Sequence, residues 1–200
     1  MKLTIQHLQK GLKEKREGIE MQTEKGLQSL LNQVDILSEI ASSFAVFAKL
    51  PIPKYEKFEL CLLLRNTVNL YNNTHDVNVD IKTDDGKFYV MGDEQLMGSI
   101  FTNLIINSIQ SLPHNKKAKV EINLSRIEAV VLIEIKDNGD GIPEHIADKI
   151  FLPNFSTKDT GSGIGLAVAK RGVEHAGGKI WFKTVVNEGT SFFIELPLVM

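Results

Sequence analysis

The sequence is short of cysteine, of net charge and of long apolar runs. Its single cysteine, Cys61, rules out an internal disulfide framework and fits a reducing cytoplasm. A formal net charge of −2, with no polybasic block, argues against nucleic acid or an anionic membrane surface as the main partner. The longest apolar stretches, such as Ala129 to Ile133, fall far short of the ~20 residues needed to span a bilayer. No signal-peptide pattern opens the chain, and internal repeats and low-complexity tracts are absent. The rest is ordinary for a globular protein: 42 % hydrophobic and 24 % charged over 200 residues, enough for one α/β domain and a smaller appendage. A soluble cytoplasmic segment without membrane contact of its own is the expectation.

Apolar period divides the chain near Pro51-Ile52-Pro53. Before it, Leu27, Leu30, Val34, Leu37, Ala41, Phe44 and Ala48 are spaced alternately three and four apart, the seam of a helix packed on other helices. A weaker stripe (Leu3, Leu8, Leu12) precedes a polar connection at Gly18, so residues 1–50 read as a helical hairpin. Such a hairpin cannot bury its seam alone, so a bundle with a second copy is expected, the alternative being a helical pair folded onto the rest of the chain.

From residue 54 to 200 the pattern is mixed. Leu60, Leu63, Leu64, Thr67, Val68 and Tyr71 predict a helix, Val77 to Ile81 a half-buried strand, and Phe88 to Met91 a short one. Asp93 caps a predicted helix reaching about Leu112, and strands are expected next at Val120 to Ser125 and Ala129 to Lys136. Asp137 to Gly163 is a long Gly-, Pro- and Ser-rich loop of the kind that is usually functional or mobile. Beyond it come a helix (Ile164 to His175), a Gly177-Gly178 stop, and strands at Lys179 to Val186 and Ser191 to Leu196. The expected fold is an α/β sandwich with a mixed sheet packed on helices, preceded by the hairpin.

Four segments carry chemistry. In Asn103-Leu104-Ile105-Ile106-Asn107 the two amides share a helix face, in the row of Leu96 and Ile100. Buried amides need partners, since an unpaired one costs about 1–3 kcal/mol; neighbouring backbone could supply them, and so could phosphate-bound Mg²⁺. Asp137-Asn138-Gly139-Asp140-Gly141-Ile142-Pro143 comes directly after a strand, where a carboxylate can accept from an exocyclic amine such as adenine's. A plain turn explains the same residues, whereas an EF-hand does not: the twelfth position from Asp137 is Asp148, and the ligand spacing fails. Ile150-Phe151-Leu152-Pro153-Asn154-Phe155-Ser156-Thr157-Lys158 could anchor a lid through its phenylalanines and leave Lys158 for phosphate, or could be ordinary loop packing. Gly161-Ser162-Gly163-Ile164-Gly165-Leu166 opens a helix, a natural phosphate site, but matches neither a Rossmann fingerprint nor a P-loop.

In this order the four segments resemble the N box, first glycine box, F box and second glycine box of the GHKL (Bergerat) ATP-binding fold, over about Lys57 to Leu198. Gly177-Gly178-Lys179-Ile180-Trp181 and Gly189-Thr190-Ser191-Phe192 are similar to the ending found in sensor histidine kinases, and residues 37–51 to the second helix of a nitrogen-regulation-type dimerisation and phosphoacceptor domain. The resemblance implies ATP and Mg²⁺ as ligands: Asn107 on the metal, Asp137 on the adenine amine supported by Thr190, and Gly163 and Gly165 along the phosphates. It adds Gly139, Gly141, Ile142, Phe155, Gly161, Ile164 and Leu166 to the nucleotide site, with Asn103 and Lys158 as its catalytic side chains. A lid would span about Pro143 to Ser162.

The family's ATPases carry a water-activating glutamate at the position of Asn103, and an asparagine cannot act as a general base. Asn103 therefore points to transfer onto a histidine, within a two-component system. Met1 to Gln9 resembles the stretch just after the phosphoacceptor turn, so the acceptor is expected upstream of Met1, and this chain alone is expected not to phosphorylate itself. His7, His75, His114, His145 and His175 lack the acceptor's surroundings and read as surface or capping residues. A homodimer through the hairpin, a response-regulator receiver domain as partner, and inner-membrane anchoring of the intact protein are further implications. The rivals are a serine kinase of the anti-sigma type and a nucleotide-gated interaction module. The chain departs from the family at one position: many of these kinases have a basic residue three places after the magnesium asparagine, and here it is Gln110, which gives Lys158 more of the phosphate charge to meet.

Overall fold

Asp93 leaves an extended segment and its carboxylate accepts from Leu96 N at 2.9 Å, satisfying one of the free donors that open a helix. The helix so begun organises the larger part of the computed structural model, which describes residues 23–29, 31–32, 54–71, 77–84, 86–112, 117–158 and 163–199. The chain divides into two units, residues 1–49 and 50–200. In the first, residues 23–29 and 31–32 are helical, with Leu27 and Leu31 both about half exposed. The remainder of the expected hairpin lies outside the described residues, as does Gly161.

In the second unit the elements run β1 (Glu56–Glu59), α1 (Leu60–Asn69), β2 (Val77–Thr83), β3 (Tyr89–Gly92), α2 (Glu94–Gln110), β4 (Ala118–Ile127), β5 (Val130–Asp137), α3 (Glu144–Ala147), α4 (Gly165–His175), β6 (Lys179–Val185) and β7 (Gly189–Pro197). Five strands form one sheet in the order β2-β4-β5-β7-β6, with β2 parallel to β4 and every other pair antiparallel. Strand β1 pairs with β3 in a separate two-stranded ribbon, Phe58 opposite Val90. The charged tetrapeptide of β1 shows no alternation that would have predicted it; its one buried residue is Phe58. Glu59 ends the ribbon and caps α1, accepting from Cys61 N at 3.0 Å and Leu62 N at 2.7 Å.

The sheet buries one face against the helices. Along β5, Val131, Ile133, Ile135 and Asp137 point inward; along β7, Thr190, Phe192, Ile194 and Leu196 do the same. Helix α2 packs on β4, β5, α1 and α4, and contributes Met97, Ile100, Phe101, Leu104 and Ile105 to the core. Leu104 is fully buried. Leu104→Ala is expected to cost about 2–5 kcal/mol of stability, read as a lower urea midpoint with an unchanged slope.

Candidate functional site

Asp137 belongs by parity to the apolar row of β5, so the period of two carries a carboxylate to the core side at the strand's last residue. It is 4 % exposed. Gly139 N and Thr190 N both donate to its Oδ1, at 2.9 and 3.0 Å, which leaves Oδ2 the capacity to accept from a ligand. Burial holds its pKa above the ordinary carboxylate value; the two backbone donors, and the nearby hydroxyls of Ser111 and Ser108, oppose that rise without cancelling it. The Ser108 hydroxyl completes no hydrogen bond of good geometry among the described residues.

The loop after Asp137 is fixed at three places. Asp140 N donates to Ser111 O at the end of α2, Asn187 N donates to Asp140 O, and Ile142 N donates to Thr184 Oγ1 at 2.8 Å. Thr184 sits opposite Thr190 on the neighbouring strand, their hydroxyl oxygens 3.1 Å apart, and also lies 3.1 Å from Gly189 O. All of these contacts are met if Thr184 donates to Gly189 O and accepts from Ile142 N and Thr190 Oγ1. Thr184 is absent from the residues that the sequence motifs single out; a cross-strand Thr-Thr pair was the signal available.

On α2, Asn103 and Asn107 face the same cavity as Asp137, a space of about 630 Å³ whose wall also includes Gly141, Ile142, Phe155, Lys158, Gly163, Gly165, Leu166 and Thr190. That size suits a nucleotide-scale ligand. Ile106, Ser111, Ile150 and Phe192 supply further wall that the motifs did not assign to the site, and His145 lines it too. Two expected residues are elsewhere: Gly139 acts through its N–H on Asp137, and Ile164 is buried off the wall, its carbonyl taking the N–H of Val168.

The start of α4 rests directly on the asparagine row. A Cβ at Gly165 would overlap the Asn103 side chain, and Gly163 takes φ +68° with the backbone of Asn154 and Phe155 packed against it. Asn103 Nδ2 is buried and has no hydrogen-bond partner among the described residues. A free donor beside a helix N-terminus on a cavity wall is suited to an anionic ligand. Lys158 Nζ donates to Gln110 Oε1 at 2.9 Å and to Asn107 Oδ1 at 3.3 Å, and burial lowers its pKa against the pull of Asp137. No cluster of His, Cys, Asp and Glu among the described residues could hold a metal by itself. A lone amide oxygen such as that of Asn107 fits Mg²⁺ arriving with phosphates, which takes few protein ligands.

The profile of the family described as "Histidine kinase-, DNA gyrase B-, and HSP90-like ATPase" matches residues 92–200. Sporulation kinase B of Bacillus subtilis (strain 168) is 32 % identical over 171 residues, covering 84 % of this chain and 40 % of the relative. An NtrY-like sensor histidine kinase of Rickettsia bellii (strain RML369-C) is 30 % identical over 158 residues, 77 % of this chain and 26 % of the relative. The chain thus spans well under half the length of these relatives. Among solved structures, the catalytic domain of histidine kinase ThkA matches with a TM-score of 0.64 and 28 % identity, over 72 % of this chain and 96 % of that one. No helix among the described residues is long and apolar enough to cross a membrane. The chain therefore belongs to the histidine kinase-, DNA gyrase B- and HSP90-like ATPase family and carries the ATP-binding catalytic domain of sensor histidine kinases.

Proposed function

We propose that this domain binds ATP with Mg²⁺ and passes the γ-phosphate to a histidine outside it, in a two-component phosphorelay. The observation that carries the reading is the convergence of Asn107 and Asp137 on one cavity. Asp137 Oδ2 accepts from the adenine amine, while Thr190 and Thr184 hold the carboxylate and the adjoining loop in register. Gly163 and Gly165 let the start of α4 sit closely against Phe155 and Asn103 on the cavity wall, where its free N–H groups meet the phosphates and the unpaired amide of Asn103 offers a further donor. Bound through Asn107, Mg²⁺ would neutralise phosphate charge and align the transferring group. Asn103 cannot deprotonate water, which favours an acceptor that is already a nucleophile, the neutral imidazole. Lys158 completes the electrostatics of the site. A response-regulator receiver domain would take the phosphoryl group next, and one structure similar in fold is of histidine kinase ThkA in complex with response regulator TrrA. Pairing of the helical segment with a second copy would bring acceptor and donor together.

Incubation with Mg²⁺ and γ-labelled ATP, beside a separate chain carrying an acceptor hairpin, tests this. Acid-labile label on the acceptor's histidine is expected, and none on the same chain with that histidine changed to glutamine. Label on serine, or release of free phosphate alone, would replace the histidine-kinase reading by one of its rivals.

A further inference from the structure

Gln110 stands one helical turn beyond Asn107, and its Oε1 takes the ammonium of Lys158 at 2.9 Å, the shorter of that group's two hydrogen bonds. The lysine comes from a segment 48 residues away in sequence, so the pairing belongs to the fold and not to local geometry. The three residues form a clamp, a cation between two amide oxygens on the wall of the cavity. One of those oxygens, Asn107 Oδ1, is the atom proposed to hold the metal. An ammonium 3.3 Å from that oxygen and a divalent ion bound to it would stand only about 5 Å apart, where like charges repel strongly. Metal and lysine therefore compete for Asn107. Gln110 has no such conflict, because the metal has no claim on its oxygen.

From this clamp, and resting on the proposed ATP-binding role, we infer that Gln110 is a positioning residue for Lys158. It keeps the ammonium beside the phosphates when the metal takes Asn107, so that a helix position without a basic residue borrows its charge from the loop.

Calorimetric titration with ATP and with adenosine, each with and without Mg²⁺, tests the assignment on the wild type, Gln110→Ala, Lys158→Gln, the double variant Gln110→Ala/Lys158→Gln, and the exchange Gln110→Lys/Lys158→Gln. Lys158→Gln is expected to weaken Mg²⁺-ATP on the order of tenfold, and Gln110→Ala about fivefold. The double variant should bind no more weakly than Lys158→Gln alone, because both changes act on one ammonium. The exchange, which returns the charge to α2, should restore affinity to within about threefold of wild type. Adenosine affinity should be close to wild type throughout, since neither residue makes a hydrogen bond to the base-binding carboxylate, and every variant should remain folded at the titration temperature, since neither residue belongs to the core. Additive losses in the double variant, wild-type affinity in Gln110→Ala, or an exchange no better than Lys158→Gln would overturn the inference while the ATP-binding role stands. A wild-type chain that binds no ATP would overturn both.

Discussion

Asp137→Asn is expected to bind ATP about 10- to 150-fold more weakly than the wild type, the equivalent of one hydrogen bond to a charged group, while melting no earlier. The substitution leaves an oxygen for the two N–H donors of Gly139 and Thr190 but puts an amide donor where Oδ2 would meet the adenine amine. Two donors then face one another, and the base is refused. Stability moves the other way. The folded-state pKa of Asp137 is raised by burial, so the fold disfavours the ionised form. The nucleotide-free domain consequently loses stability as pH rises from the ordinary carboxylate value through the raised one, and asparagine removes that loss. ATP affinity has the opposite dependence: it should weaken as pH falls through the same raised value, and the variant should lack this limb. Calorimetry across an acidic pH series, with a melting curve at each point, reads both effects. A variant with wild-type affinity, or one that melts well below the wild type, contradicts the assignment.

Asn107→Ala should abolish the advantage that Mg²⁺ gives to ATP binding and slow phosphotransfer by on the order of 100-fold. The asparagine oxygen has the Lys158 ammonium against it at 3.3 Å, which marks the position as one where positive charge is stabilised. Affinity for ATP measured in chelator should be close to wild type, and so should affinity for adenosine, because Asp137 is untouched. Loss of binding in chelator as well would mean that the residue serves the fold and not the metal. The neighbour Asn103 gives a contrast: its amide is a donor without a partner among the described residues, so its removal should weaken ATP binding with and without Mg²⁺ alike.

How much of this could be read beforehand depends on how local each signal is. The Asp93 cap, the asparagine row on α2 and the buried parity of β4, β5 and β7 are written into a few consecutive residues, and each appears where the periodicity placed it. The ordered motifs made the family legible too. Strand β1 was not, because Glu56–Glu59 is a strand only through its pairing with β3, thirty-odd residues on. Thr184 escaped notice for the same reason: its value lies in meeting Ile142 from one side and Thr190 from the other. The absence of a basic residue at Gln110 was visible, but not the amine that the fold delivers to it from 48 residues away. Contacts made across the fold leave little trace in neighbouring letters.

The buried row of β5 has a consequence for folding quality. Because alternate residues face alternate sides, a slip of that strand by one place would turn Asp137 out to solvent and bring Lys136 to the base-binding end. A misthreaded copy would then meet adenine with an ammonium, and two donors cannot pair. Retention on an immobilised adenine nucleotide should for that reason sort correctly threaded molecules from misassembled ones, with the ligand serving as a gauge of strand alignment.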